Sequence, residues 1–171
     1  TVHAVPDADF AALNATYCAD DAAFALIANT AGGTFSGEGV SGTMFDPATV
    51  TTLGSPVALT HTVTINGCTN ISTQMITVND IPDADFAALN LEYCGDDAMV
   101  NLNPNTAGGL FVGEGVSGTM FDPAAVTSFG IPIVITHTVI NAAGCPNTSS
   151  QIITVHAVPD ADFAALNATY C

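Results

Sequence analysis

The chain contains no lysine and no arginine, against sixteen aspartates and glutamates, for a formal charge of −16. That absence excludes a nucleic-acid binder, which needs cations to neutralise phosphate. It disfavours docking on anionic membrane surfaces for the same reason. No Lys or Arg salt bridge and no Lys–Asn isopeptide cross-link can form, and a trypsin-like protease finds no site. Tryptophan is also missing, so the Trp-on-disulfide core of antibody domains is excluded. No stretch of about 18 apolar residues occurs, and this segment therefore has no candidate membrane-spanning helix. Charged residues make up only 9% of the chain while apolar residues make up 49%. A chain of that composition has ample material for a core and does not read as disordered.

What the chain does have is repetition. TVHAVPDADFAALNATYC runs from Thr1 to Cys18 and returns unchanged from Thr154 to Cys171, with the near copy TVNDIPDADFAALNLEYC between Thr77 and Cys94. GEGVSGTMFDPA recurs at Gly37–Ala48 and Gly113–Ala124, and NTAGG at Asn29–Gly33 and Asn105–Gly109. The one length difference lies where TINGC at Thr64–Cys68 becomes INAAGC at Ile140–Cys145. An insertion confined to a Gly-containing stretch between strand-like runs marks a hairpin loop. A period near 77 residues (Thr77 to Thr154) is long enough for a small domain with its own core. The expected organisation is beads on a string. Residues 1–5 end a preceding repeat, 6–80 and 81–157 form two repeats, and 158–171 begin a third.

The pattern within each repeat is all-β. Val57, Leu59, His61, Val63 and Ile65 alternate with Ala58, Thr60, Thr62 and Thr64, as in a half-buried strand. Asn66-Gly67 signals the turn, and Ile71–Val78 the returning strand. Shorter strands are expected at Ala23–Ala28, Thr34–Ser36 and around Thr43–Phe45, with Asp9–Asn14 a first strand or an irregular crossing segment. Short strands separated by regular turn signals imply a β-sandwich. Its expected core is Phe10, Leu13, Phe24, Leu26, Phe35, Phe45, Leu59 and Val63. The second repeat offers Phe86, Leu89, Val100, Leu102, Phe111, Phe121, Ile135 and Val139. His61 and His137 fall on the apolar face and read as core histidines bonded to backbone.

Each repeat carries two cysteines, Cys18 with Cys68 and Cys94 with Cys145, and Cys171 is the first cysteine of the next repeat. Bonds within each repeat, Cys18–Cys68 and Cys94–Cys145, with Cys171 bonded into the next, are the expected pairing in an oxidising compartment. Closing a loop near 50 residues stabilises by about 4 kcal/mol on the chain-entropy model. Spacing leaves open free buried thiols, or a bond between repeats in which Cys94 meets Cys68. The tyrosines beside these cysteines, Tyr17, Tyr93 and Tyr170, are expected to pack on the disulfides.

The acidic residues are the candidate ligands. Asp7 and Asp9 lie in the PDAD entry segment, and Asp20 and Asp21 follow the first cysteine; Asp83, Asp85, Asp96 and Asp97 repeat them. Divalent calcium takes six to eight oxygens, and such pairs near a junction suit it. No cofactor is required by any motif, and calcium is the one candidate ion. The bland reading is a solvated acidic surface that keeps fibres apart. No GxSxG, HExxH or P-loop pattern is present, so nothing points to an enzyme.

The motifs TYCADDAA, TAGGTFSGEGVSG and FDPA, with NGCTN and the closing ITV, resemble the Ig-like or PKD-like tandem repeats of very large surface adhesins of Bacteroidota. The gliding-motility adhesins belong to that broad group. The resemblance covers essentially the whole chain and implies tandem Ig-like sandwiches in an extracellular, cell-surface stalk or fibre. The partners it implies are neighbouring repeats of the same chain or fibre. The alternative is an adhesin repeat that itself holds glycan or protein, with calcium as its cofactor.

Overall fold

The computed structural model describes residues 2–162. Cys171, Tyr170 and most of the expected third-repeat start lie outside them. The chain is β-structured throughout, with helix among the described residues confined to two single 3-10 turns, Pro47–Thr49 and Pro123–Ala125. It divides into two compact units. One comprises the residues up to Pro82 together with Ile140–Pro146; the other comprises Asp83–Val139 together with the residues from Asn147 on.

In the first unit, β1 (Thr16–Cys18), β2 (Phe24–Ala25), β3 (Thr34–Ser36), β4 (Val40–Ser41) and β5 (Met44–Phe45) precede a long hairpin. Its arms are β6 (Pro56–Ile65) and β7 (Cys68–Asn79). Two sheets result, one ordered β1-β7-β6-β3 and the other β2-β5-β4, in a sandwich-like arrangement. The hairpin turns at Asn66 and Gly67, with φ of 51° and 78°. Both values are left-handed, as a two-residue hairpin of matching twist demands. Val57, Leu59, His61 and Val63 are buried on one face of β6, as the alternation predicts, while Ile65 is exposed at the hairpin end. On the opposite face Thr60 meets Thr73 and Thr64 meets Thr69 through their hydroxyls at 3.1 and 2.8 Å, cross-strand pairs that support the register.

The second unit repeats this plan with β8 (Glu92–Cys94), β9 (Val100–Asn101), β10 (Leu110–Val112), β11 (Val116–Ser117), β12 (Met120–Phe121), β13 (Pro132–Ile140) and β14 (Pro146–His156). Its sheets are ordered β10-β13-β14-β8 and β11-β12-β9. The core of the first unit gathers Phe10, Leu26, Phe45 and Leu59 with Val50, Val57, Ile76 and Val78; Leu13, Phe24 and Phe35 pack against it partly buried. The second core is built from the matching positions, Phe86, Leu102, Phe111, Phe121 and Ile135 among them.

Asp9–Asn14 is an irregular crossing segment apart from one bridge, Phe10 with Ala28. Its backbone is satisfied by side chains of β7. The inward positions of that strand change from Asn70, Ser72 and Gln74 to the buried Ile76 and Val78. Asn70 Nδ2 donates to the Pro6 carbonyl at 2.8 Å, and Gln74 Nε2 donates to the carbonyls of Phe10 and Ala11 at 3.1 and 3.0 Å. Gln74 Oε1 accepts from the Leu13 N–H at 2.9 Å. Polar side chains here replace a ladder that an irregular segment cannot make, and buried backbone groups must find some partner.

His61 completes this arrangement. Fully buried, its Nδ1 lies 2.8 Å from the Ala8 carbonyl oxygen and its Nε2 3.1 Å from that of Gly32. The ring stacks on Phe35 with centroids 4.5 Å apart. A neutral imidazole donates from one nitrogen and the imidazolium from both. One ring thus ties the entry segment, the NTAGG turn and β6 together. His137 does the same with Ala84 and Gly108, at 2.8 and 3.0 Å. Gly33 explains why the turn approaches so closely: a Cβ there would lie 2.5 Å from the Thr62 carbonyl oxygen and 2.7 Å from His61 Nε2.

Candidate functional site

The turn after β1 holds the first cysteine of the repeat beside two carboxylates. It forms because Cys18 is the last residue of β1, which pairs in parallel with the end of β7, Cys18 opposite Asn79. The Ala19 N–H then donates to the Asn79 carbonyl at 2.9 Å and the Asp21 N–H to the Cys18 carbonyl at 3.0 Å. Asp21 Oδ2 closes the turn by accepting from the Cys18 N–H at 2.8 Å. The second unit builds the same turn at Cys94: its N–H donates to Asp97 Oδ2 at 2.7 Å, and the Gly95 N–H to the His156 carbonyl at 2.9 Å.

Cys18 is bonded to Cys145, with Cα atoms 5.6 Å apart and a sequence separation of 127; Cys68 and Cys94 are free thiols. The expected pairs Cys18–Cys68 and Cys94–Cys145 are therefore corrected. The parallel register explains why. Cys18 sits beside the last residue of β7, whereas Cys68 is the first residue of that 12-residue strand. At about 3.3 Å per residue the two positions are roughly 36 Å apart, against a limit near 7 Å for a disulfide. Likewise Cys94 stands opposite His156, the last residue of β14, while Cys145 immediately precedes that strand. Cys145 is completely buried. Its loop segment is fixed in the first unit by Asn141, whose Nδ2 donates to the Asp80 carbonyl at 2.7 Å and whose Oδ1 accepts from the N–H groups of Ala143 and Cys145 at 3.0 Å. Tyr17 packs partly buried against the core of the first unit. Its ring lies against Phe24 and Phe45, with centroids 5.2 and 5.9 Å away, and its hydroxyl accepts from the Asn14 N–H.

The acidic residues separate into different local roles. Among the described residues, Cys18, Asp20 and Asp21 form one group with ligand atoms within 4.8 Å, and Cys94, Asp96 and Asp97 form another. Asp7 and Asp9 belong to neither group. Asp7 Oδ1 accepts from the Asp9 N–H at 2.8 Å, and Asp9 Oδ1 accepts from the Ser72 hydroxyl at 2.8 Å. Asp83 and Asp85 repeat these bonds, with Ser149 as the hydroxyl donor to Asp85. The Asn105 amide and then the Asp85 N–H hold the Asp83 carboxyl below its usual range. The fold thus gathers the carboxylates in twos, and Asp21 and Asp97 are engaged by cysteine N–H groups. Asp20 and Asp96 are exposed.

Two glutamates carry a role that the sequence does not announce. Glu114 Oε1 accepts from the Thr127 N–H and hydroxyl, both at 2.7 Å, and from the Ser128 N–H at 3.1 Å. Glu38 does the same for Thr51 and Thr52. Each ties the GEG loop to the connection that follows the 3-10 turn. Both carboxyls are held down to about 2, by the hydroxyl of Thr51 foremost for Glu38 and of Thr127 for Glu114. Asp46 caps the 3-10 turn by accepting from the Ala48 N–H at 3.0 Å. An open groove of about 290 Å³ is lined by Leu13, Tyr17, Phe24 and Ile27 together with Ala11, Ala12 and Ala25 among others. No helix among the described residues is long and apolar enough to cross a membrane.

No protein-family model matches the chain, and no curated protein matches it.

Proposed function

We propose that this chain is a stretch of tandem Ig-like repeats from an extracellular, cell-surface fibre or adhesin stalk. The observation that carries the reading is the bond between Cys18, the first cysteine of one repeat, and Cys145, the hairpin cysteine of the next. A disulfide joining successive repeats suits an element that bears load in an oxidising environment. Pulling on the chain ends leaves the residues between Cys18 and Cys145 behind the bond. That hidden length is 127 positions, roughly 430 Å at about 3.4 Å per extended residue. The chemistry of the surface fits the same role. A chain without a single lysine or arginine resists trypsin-like proteases, and its uniform negative charge keeps neighbouring fibres apart.

Immunogold electron microscopy of intact source cells, with antibody raised against this chain, tests the reading. Gold along filaments outside the cell is the expected result. Label confined to the cell interior would refute it.

A further inference from the structure

Each repeat carries one cysteine of each kind, a first cysteine closing a short parallel strand and a hairpin cysteine. Among the described residues one combination is bonded, the first cysteine of one repeat with the hairpin cysteine of the following repeat, Cys18–Cys145. The two free cysteines among the described residues are one of each kind. Cys94 is exposed and sits in the same turn as Cys18, with the same carboxylate accepting from its N–H and the same donation from the next residue to the strand end. Cys68 is half-buried after the tight turn of its own hairpin, with its Sγ 3.9 Å from the His3 carbonyl oxygen.

We propose that Cys94 and Cys68 are the two halves of the same bond, each completed by a further copy of the repeat. Cys94 takes the hairpin cysteine of the copy that follows, and Cys68 the first cysteine of the copy that precedes. A second molecule offers such a copy, so that in a solution of this chain Cys94 of one molecule bonds Cys68 of another. The loop closed by Cys18–Cys145 contains Cys94, so consecutive bonds overlap. Successive repeats are then interlocked, and none is released without breaking a sulfur–sulfur bond. The bond forms by thiol–disulfide exchange with a small external disulfide such as oxidised glutathione. One thiolate attacks it, giving a mixed disulfide and one released thiol; the second thiolate displaces the other half. Two protons leave the cysteines, and the two electrons leave with the reduced external disulfide. The proposal rests on the stalk reading only for its oxidising surroundings. Its test supplies the oxidant, so a negative result overturns the linkage and leaves the microscopy test standing.

The experiment mixes equal amounts of unlabelled and 15N-labelled chain, both carrying Cys171→Ser, and oxidises them with a glutathione redox buffer. Remaining thiols are blocked and the disulfide peptides are read by mass spectrometry after Asp-N digestion. The expected result is Cys18–Cys145 within single molecules, Cys94–Cys68 in pairs of mixed isotope content, and a covalent ladder on a non-reducing gel. Cys68→Ser should abolish the ladder while keeping Cys18–Cys145, which reports that the variant is folded. Three results overturn the proposal: free Cys68 and Cys94 beside a formed Cys18–Cys145 bond, Cys68–Cys94 pairs of uniform isotope content only, or Cys94–Cys94 and Cys68–Cys68 pairs as abundant as Cys94–Cys68. A ladder that persists in Cys68→Ser overturns it as well.

Discussion

Replacing His61 with leucine probes how the irregular parts of the first unit are held. Leucine fills most of the ring's space, so the change is chiefly chemical. The Ala8 and Gly32 carbonyl oxygens, at 2.8 and 3.1 Å from the ring nitrogens, lose their contact with it. A buried carbonyl left without a donor costs about 1–3 kcal/mol. A neutral ring leaves one such carbonyl on substitution, and an imidazolium leaves two. The stacked pair with Phe35, centroids 4.5 Å apart, adds about 0.5–1.5 kcal/mol. The sum is a destabilisation of about 2–4 kcal/mol, a large share of the stability of a domain this small. Urea denaturation followed by circular dichroism measures it: with m near 1 kcal/mol/M, the midpoint of the first unit should fall by about 2 M or more. Amide exchange gives a local reading. The Asn29 N–H, which donates to the Asp9 carbonyl, and the Ala11 N–H, which donates to Ile27, should lose protection first. A change below about 0.5 kcal/mol, the size of an ordinary surface substitution, would refute the claim that this ring is the tie. His137→Leu should act equally on the second unit, where the geometry is the same.

Further expectations concern other residues. Cys145→Ser removes a 127-residue closure and should cost about 5 kcal/mol on the chain-entropy model, read as the loss in urea-derived unfolding free energy under oxidising conditions. Glu38 and Glu114 are held down to about 2 from an ordinary 4.5; their contribution is full above pH about 4.5 and is lost as pH falls towards 2. Melting temperatures taken down that range should therefore decline less steeply for the double variant Glu38→Gln, Glu114→Gln than for the parent. Gly33→Ala and Gly67→Ala place a side chain at φ of 82° and 78°, but only at Gly33 does the new Cβ meet backbone, at 2.5 Å. Gly67→Ala should cost about 1 kcal/mol by thermal melting and Gly33→Ala clearly more; equal costs would remove the close-approach argument. Asp46→Ala strips the cap from the 3-10 turn and should lower stability by about 1 kcal/mol.

The long hairpin was legible because nine alternating residues record which side faces the core, and Asn66-Gly67 has the chemistry of its turn. Most large core residues could be read for the same reason. Of the short strands, β2, β3 and β5 lie where strands were expected, at Ala23–Ala28, Thr34–Ser36 and around Thr43–Phe45, whereas β1 and β4 went unread, being shorter than any period they would display. Gln74 was missed as an organiser of the entry segment, as was Gln151, which bonds the Leu89 N–H and the carbonyls of Phe86 and Ala87 in the same way. A polar residue on the inward face of a strand looks like a break in the pattern until the backbone it serves is seen lying across it. Glu38 and Glu114 were visible only as charges between glycines, because their partners stand 13 and 14 residues away along a loop.

The sequence by itself determined the repeat and its period, the all-β character, the hairpin and its length change, and a surface without lysine or arginine. It also placed one cysteine of each kind in every repeat. Which cysteine meets which was decided only in three dimensions. The three residues Thr16–Cys18 pair in parallel with the far end of a strand that begins at the other cysteine. A strand is stiff and extended, so pairing at one end carries Cys18 away from Cys68, and the hairpin cysteine of the next repeat closes the bond instead.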